Sequence, residues 1–211
     1  FFNGIFDGQG NEIQNLYINR TSDDEIGLFG HVINAKIINL GVTGTIKGDG
    51  NVGGLIGECG GNTYIENCYN KCEITTNFYT GGIIGDYDSV NNLTMKSCNN
   101  YGTINANYQV GGVIGHIYDV NNAHIYNCNN YGTVYGHDST GGIIGQIMDT
   151  NNIYVEKCNN EGNIISEWEI AGLIGESYST NKLEIRECSN KGNLSTIGNG
   201  SYCGGFCAYI A

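Results

Sequence analysis

Carboxylates are the first residues of this 211-residue chain whose placement could do chemistry. Asp119 and Asp149 lie 30 residues apart in matching local contexts, with Asp86 and Asp88 in a related segment. Glycoside hydrolysis uses two convergent carboxyl groups, one as acid and one as base or nucleophile. Oxygen donors of this kind also suit weak Ca²⁺ binding. The neighbouring segments carry Ser89 and Ser179 at the same place, and no Lys or Arg stands in the turn to hold an acidic sugar. The plain reading is a row of solvated turn aspartates. A weak Ca²⁺ site at Asp119 and Asp149 and carbohydrate catalysis are the functional alternatives, and no other cofactor is expected.

A second candidate is aromatic. Phe78, Tyr108, Asp138 and Trp168 each stand at the same distance before a recurring glycine. They fall in turns, where a large ring lacks an evident core role. Stacked rings beside Asn and Asp suit the faces of sugar rings, and packing beneath a loop is the competing reading. His31, His116, His124 and His137 are scattered, with no H-E-x-x-H, G-x-S-x-G or P-loop pattern. Of nine cysteines, Cys68, Cys98, Cys128, Cys158 and Cys188 recur every 30 residues, and Leu16 and Leu40 fill that place earlier. A small apolar filler is the reading there. An odd-membered row cannot pair completely, and without a CxxC pair zinc is disfavoured. Cys203 and Cys207 also read as filler, and Cys59 and Cys72 are left unassigned.

These spacings come from a repeat. Gly82-Ile83-Ile84-Gly85 returns as Gly112-Val113-Ile114-Gly115, Gly142-Ile143-Ile144-Gly145 and Gly172-Leu173-Ile174-Gly175, each 30 residues on. Gly54-Leu55-Ile56-Gly57 and Gly27-Leu28-Phe29-Gly30 precede them, and Gly205-Phe206-Cys207-Ala208 is a degenerate last copy. Each unit holds three strand-like pieces, such as 112–118, 123–128 and 132–135, broken by Asn, Gly and Asp. No piece keeps a helical apolar period. Strands this short gain stability only by stacking copy on copy. The spacing predicts an all-β fold: a single-stranded parallel β-helix of about seven coils, 27–33 residues each, spanning residues 1–211 as one domain. At a strand separation of about 4.8 Å the stack would be roughly 34 Å long.

Columns follow from the register. Ile65, Met95, Ile125, Val155 and Ile185 should point inward, as should Ile74, Ile104, Val134, Ile164 and Leu194. Glu156 over Arg186, Lys157 over Glu187 and Glu161 over Lys191 should pair as opposite charges. Asn70, Asn100, Asn130, Asn160 and Asn190 should form an amide ladder, with a second through Asn62, Asn92, Asn122 and Asn152. Strand alternation predicts that if Ile56, Ile84, Ile114, Ile144 and Ile174 face in, then Leu55, Ile83, Val113, Ile143 and Leu173 face out as an apolar interaction stripe. A bend at the flanking glycines, turning both columns inward, is the alternative.

Val52-Gly53-Gly54-Leu55-Ile56-Gly57 together with Ile65-Glu66-Asn67-Cys68-Tyr69-Asn70 resembles the GLUG motif, a bacterial surface repeat. Phe2-Asn3-Gly4-Ile5-Phe6-Asp7-Gly8-Gln9-Gly10 resembles the opening coil of such regions. The resemblance implies a right-handed parallel β-helix, part of a larger secreted or wall-attached protein, used as stalk or binding surface. Adhesin-like proteins and the non-catalytic region of immunoglobulin A1-specific metallopeptidases carry such repeats. Cys72, where later units have Gly, and Phe206-Cys207-Ala208 depart from the pattern, so irregularity is expected in the third coil and at the last one.

Composition narrows the partners. Nine Lys and Arg against 21 Asp and Glu leave a formal charge of −12. That disfavours nucleic acid, whose binding rests on cations neutralising phosphates, and docking on anionic lipid. No apolar run is long enough for a membrane-spanning helix. The expectation is an extracellular, non-enzymatic module for adhesion, binding or assembly, contacting a glycan, a protein or further copies. The alternative from another class is a polysaccharide lyase or glycoside hydrolase.

Overall fold

The computed structural model describes residues 1–89, 91–198 and 202–211. Among them there is no helix; every element is a strand, and every strand pairing is parallel. The chain winds as a β-solenoid of about seven turns. The anchor column Phe29, Ile56, Ile84, Ile114, Ile144, Ile174 and Cys207 pairs continuously in register.

One turn shows the build. Ile114–Tyr118 forms a first side, Asn122–Tyr126 a second, and the short Val134–Tyr135 belongs to the third. Two further pairing segments, Asn129–Asn130 and Tyr108–Gly111, tie the corners. The latter belongs to a separate six-stranded sheet running from Val52–Gly53 to Cys203–Gly204. Corners form where one residue takes a left-handed backbone, for which Asn and Asp carry the smallest penalty after glycine. After the second side that residue is Asn67, Ser97, Asn127, Lys157 or Glu187, with φ between 51° and 53°. It ends the strand and drops the next residue, the cysteine, into the core.

Cys68, Cys98, Cys128 and Cys158 are at most 1% exposed. Cys59 and Cys72 are wholly buried free thiols. Cys72 does not break the register: Asn70 still pairs with Asn100, and Ile74 with Ile104. At the last turn Cys207 keeps the pairing with Ile174, but Cys203 is exposed rather than core filler. Burial pushes the Cys72 thiol up to about 12, and Cys59 also lies well above the ordinary thiol range, so neither is a nucleophile near neutrality.

The exposed apolar stripe does not exist. Leu55, Ile83, Val113, Ile143 and Leu173 are 0% exposed, as are Ile56, Ile84, Ile114, Ile144 and Ile174 beside them. Strand Tyr108–Gly111 ends before Val113, and the next strand starts at Ile114, with a bend at 112 and 113. Alternation does not carry across a broken pleat, so both columns turn inward.

Glycines flank this bend because backbone and side chains approach too closely for a Cβ. On Gly112 a Cβ would lie 2.5 Å from Cγ of Asn130, and on Gly115 it would lie 2.3 Å from the backbone nitrogen of Thr80. The buried asparagine ladder therefore sits against the glycine column. Asn70, Asn100, Asn130 and Asn160 are 0% exposed, and each donates from Nδ2 to Oδ1 of the next at 2.8 Å. A main core lies inside the first two sides, and a smaller one gathers Ile104, Val110, Val134, Ile164 and Ile170. The ion pairs Glu156–Arg186, Lys157–Glu187 and Glu161–Lys191 form outside, at 3.7, 4.0 and 3.1 Å.

Candidate ligand-binding groove

The predicted site residues fall in three places. Asp119 and Asp149 are exposed corner residues with φ of 50° and 53°, in line with Ser179 at 50°. Their type answers the backbone need of the corner, and among the described residues they join no cluster of three potential metal ligands. Beside them runs a shallow channel of about 410 Å³ lined only by asparagines. Its amides are engaged with one another: Asn151 with Asn121 at 2.8 Å, Asn181 with Asn151 at 2.6 Å, Asn122 with Asn92 at 2.8 Å.

The aromatic column holds one stacked pair at the surface. Phe78 and Tyr108 stack with centroids 5.3 Å apart and planes 13° from parallel. Phe78 is 41% exposed and Trp168 46%. The row is bordered by the Asn107–Asn77 amide pair at 2.9 Å. Asp138 stands in register above Tyr108, filling the rung between the Tyr108 and Trp168 coils. Glu169 shares a hydrogen bond with Asp138, and desolvation together with that carboxylate pushes Glu169 up to about 7.

A third feature was not anticipated as a unit. Immediately after the second anchor glycine stand His31, Glu58, Asp86, His116, Gln146 and Glu176, paired rung to rung. Facing them are the left-handed residues just before the glycine pair: Glu25, Asn51, Tyr79, Gln109 and Ser139, with φ from 44° to 57°. The left-handed backbone lies against the second anchor glycine, so its side chain reaches across to the titratable column. Glu25 contacts His31 Nδ1 at 3.2 Å, Asn51 donates to Glu58 at 2.7 Å, and Ser139 donates to Glu176 at 3.0 Å. Tyr79 stacks on His116 with centroids 4.7 Å apart. Together they make a polar groove along the solenoid. Its signal in sequence was a polar residue recurring directly after the second anchor glycine, charged or imidazole in every copy but Gln146.

The groove has two distinct stations. At one, Glu25, His31 and Glu58 present ligand atoms within 4.8 Å of one another, the only such trio among the described residues. Burial raises the Glu58 carboxyl against the opposing pull of Asn51. Carboxylate and imidazole donors suit Zn²⁺ or a similar divalent ion. At the other, a hollow of about 330 Å³ opens between Tyr79, Asp88, His116, Tyr118 and Met148. Asp86 Oδ1 accepts from His116 Nδ1 at 3.0 Å, and His116 is buried. Burial and the nearby carboxylates Asp86 and Asp119 raise Asp88. Burial raises the Tyr79 hydroxyl.

The fold and these stations define a parallel β-solenoid with an aromatic face and an adjoining polar groove. No family model, curated protein or solved structure matches the chain.

Proposed function

We propose that this chain is an extracellular, non-enzymatic repeat module whose solenoid holds a binding surface toward a glycan or protein of a host or matrix. The observation that carries the reading is the parallel stacking of exposed Phe78 on half-buried Tyr108, with Trp168 exposed farther along the same column. Rings fixed on a stacked backbone offer flat apolar faces at little entropic cost, and neighbouring amides supply hydrogen bonds. The cell-surface placement draws on the likeness of residues 52–57 and 65–70 to the GLUG repeat.

Trp168 is the single tryptophan, so its fluorescence reports this face directly. Titration with a panel of host and plant glycans should shift its emission for at least one member. Phe78→Ala and Trp168→Ala should each weaken binding about tenfold, or ~1.4 kcal/mol, while leaving the unfolding midpoint in place. A panel without any response in fluorescence or calorimetry would remove the reading.

A carbohydrate-active enzyme is the second reading, and the Asp86–His116 pair favours it: a carboxylate fixing an imidazole is a common acid–base device. Release of reducing ends or of unsaturated products, lost on His116→Ala, would put this reading in place of the first.

A further inference from the structure

His116 has a polar atom the fold does not satisfy. Its Nδ1 is committed to Asp86, while Nε2 is buried without a hydrogen-bond partner. The side chain is 8% exposed and lines the hollow bounded by Tyr79, Asp88, Tyr118, Gln146 and Met148. Buried polar atoms are almost always paired, so an orphan at the wall of a cavity marks the place of an absent partner.

The chemistry of that partner can be narrowed. No Lys or Arg lines the hollow, whereas Asp86 and Asp88 both do, which disfavours an anion. A metal on Nε2 would need further ligands within reach, and His116 belongs to no such trio among the described residues. An ammonium can only donate and a carboxylate can only accept. With Nδ1–H held by Asp86, Nε2 accepts in the neutral imidazole and donates in the imidazolium; a hydroxyl satisfies it in either state, an ammonium only in the first and a carboxylate only in the second. Asp88 adds a carboxylate for neighbouring hydroxyls, and Gln146, whose Nε2 donates to Glu176, adds an amide oxygen. Tyr79 and Tyr118 stack on His116 at 25° and 14°, so the walls are flat and partly apolar. A cavity near 330 Å³ lies at the small end of the roughly 300–1,000 Å³ that small-ligand sites occupy.

We infer that this hollow is a subsite for one neutral sugar ring, with His116 Nε2 and Asp88 bonding its hydroxyls. The inference rests on the glycan-binding reading above and extends it, because Phe78 of the aromatic face lies 6.5 Å from Tyr79 of the hollow, centroid to centroid. A chain of sugars lying on the aromatic face would therefore reach the hollow with one residue.

The test uses the intact chain with labelled histidines, following the His116 imidazole by NMR. Probes are glucose, galactose, N-acetylglucosamine and their disaccharides, up to about ten times a 1 mM Kd. Saturable movement of the His116 Nε2 and Hε1 signals with at least one neutral sugar is expected. Tyr79→Ala and Asp88→Asn should weaken it about tenfold. Phe78→Ala should weaken binding of the longer glycans. A monosaccharide response without binding at Trp168 would uphold the subsite and sink the aromatic-face reading. A Trp168 response without movement at His116 would do the reverse. Movement with Zn²⁺ or an alkylammonium, but with no sugar, would overturn the assignment.

Discussion

Asn130 carries more of this fold than any apolar residue of similar size would. Its Nδ2 donates to Asn160 Oδ1 at 2.8 Å and to the Gly132 carbonyl at 2.9 Å, and its Oδ1 accepts from Asn100. All of this happens at 0% exposure, against a glycine column that leaves no space for adjustment. Replacement by Ala orphans an amide donor on one side and an acceptor on the other, at a cost of about 3 kcal/mol. Asn130→Asp should cost more, because an amide donor facing Asn160 Oδ1 becomes a carboxylate oxygen facing it, with no cation nearby. Urea denaturation of the two variants should give the order wild type, Ala, Asp. An Asp variant as stable as wild type at neutral pH would mean the ladder is wet.

At the scale of elements, the bend between Tyr108–Gly111 and Ile114–Tyr118 and its equivalents decides what is inside. Ile143 stands at such a bend with 0% exposure. Ile143→Glu should therefore cost 4 kcal/mol or more (about the largest effect single substitutions produce), while Ile143→Val costs about 1 kcal/mol. Unfolding midpoints check both; an Ile143→Glu protein of unchanged stability would restore an outward stripe. This bend was also where reading from sequence reached its limit. Period and register were legible, because one 30-residue spacing governs cysteine, isoleucine and asparagine columns together. Alternation was applied through Gly112 and Val113, where the strand is interrupted, so Leu55 and its equivalents were placed outside. The polar groove was hidden for a related reason. It joins residues 37 positions apart, such as Tyr79 and His116, across a left-handed residue whose direction no pattern of residue types encodes. The aromatic column, by contrast, repeats at one fixed offset, so the stack of Phe78 on Tyr108 was readable.

Across the whole molecule, each turn is stabilised by the turns beside it, so stability should vary along the axis. Core residues from Val32 to Ile174 are almost wholly buried, whereas Leu183, Ile185 and Leu194 are only partly covered, and Phe206 is 49% exposed. Native-state hydrogen exchange should show strongest protection in Ile84–Asp88, Ile114–Tyr118 and Ile144–Glu156 and a graded fall toward Cys207–Ile210. Uniform protection to that last strand would mean unfolding is all-or-none rather than graded.

The asparagine rows also have a direction. In the buried row every amide donates toward the C-terminal end, from Asn70 to Asn100 and onward to Asn190. The sense is fixed locally, because the backbone N–H of Gly102 needs the Asn100 oxygen, at 3.1 Å. Outside that row the sense reverses: Asn92 donates to Asn62, Asn122 to Asn92, Asn129 to Asn99 and Asn181 to Asn151. One inner chain of aligned dipoles is thus sheathed by several antiparallel outer ones. Each polarises its own members along the axis, yet their fields oppose one another. The inner row therefore offsets part of the moment of the outer ones, so the asparagine dipoles do not all add along the axis as peptide dipoles do in a helix.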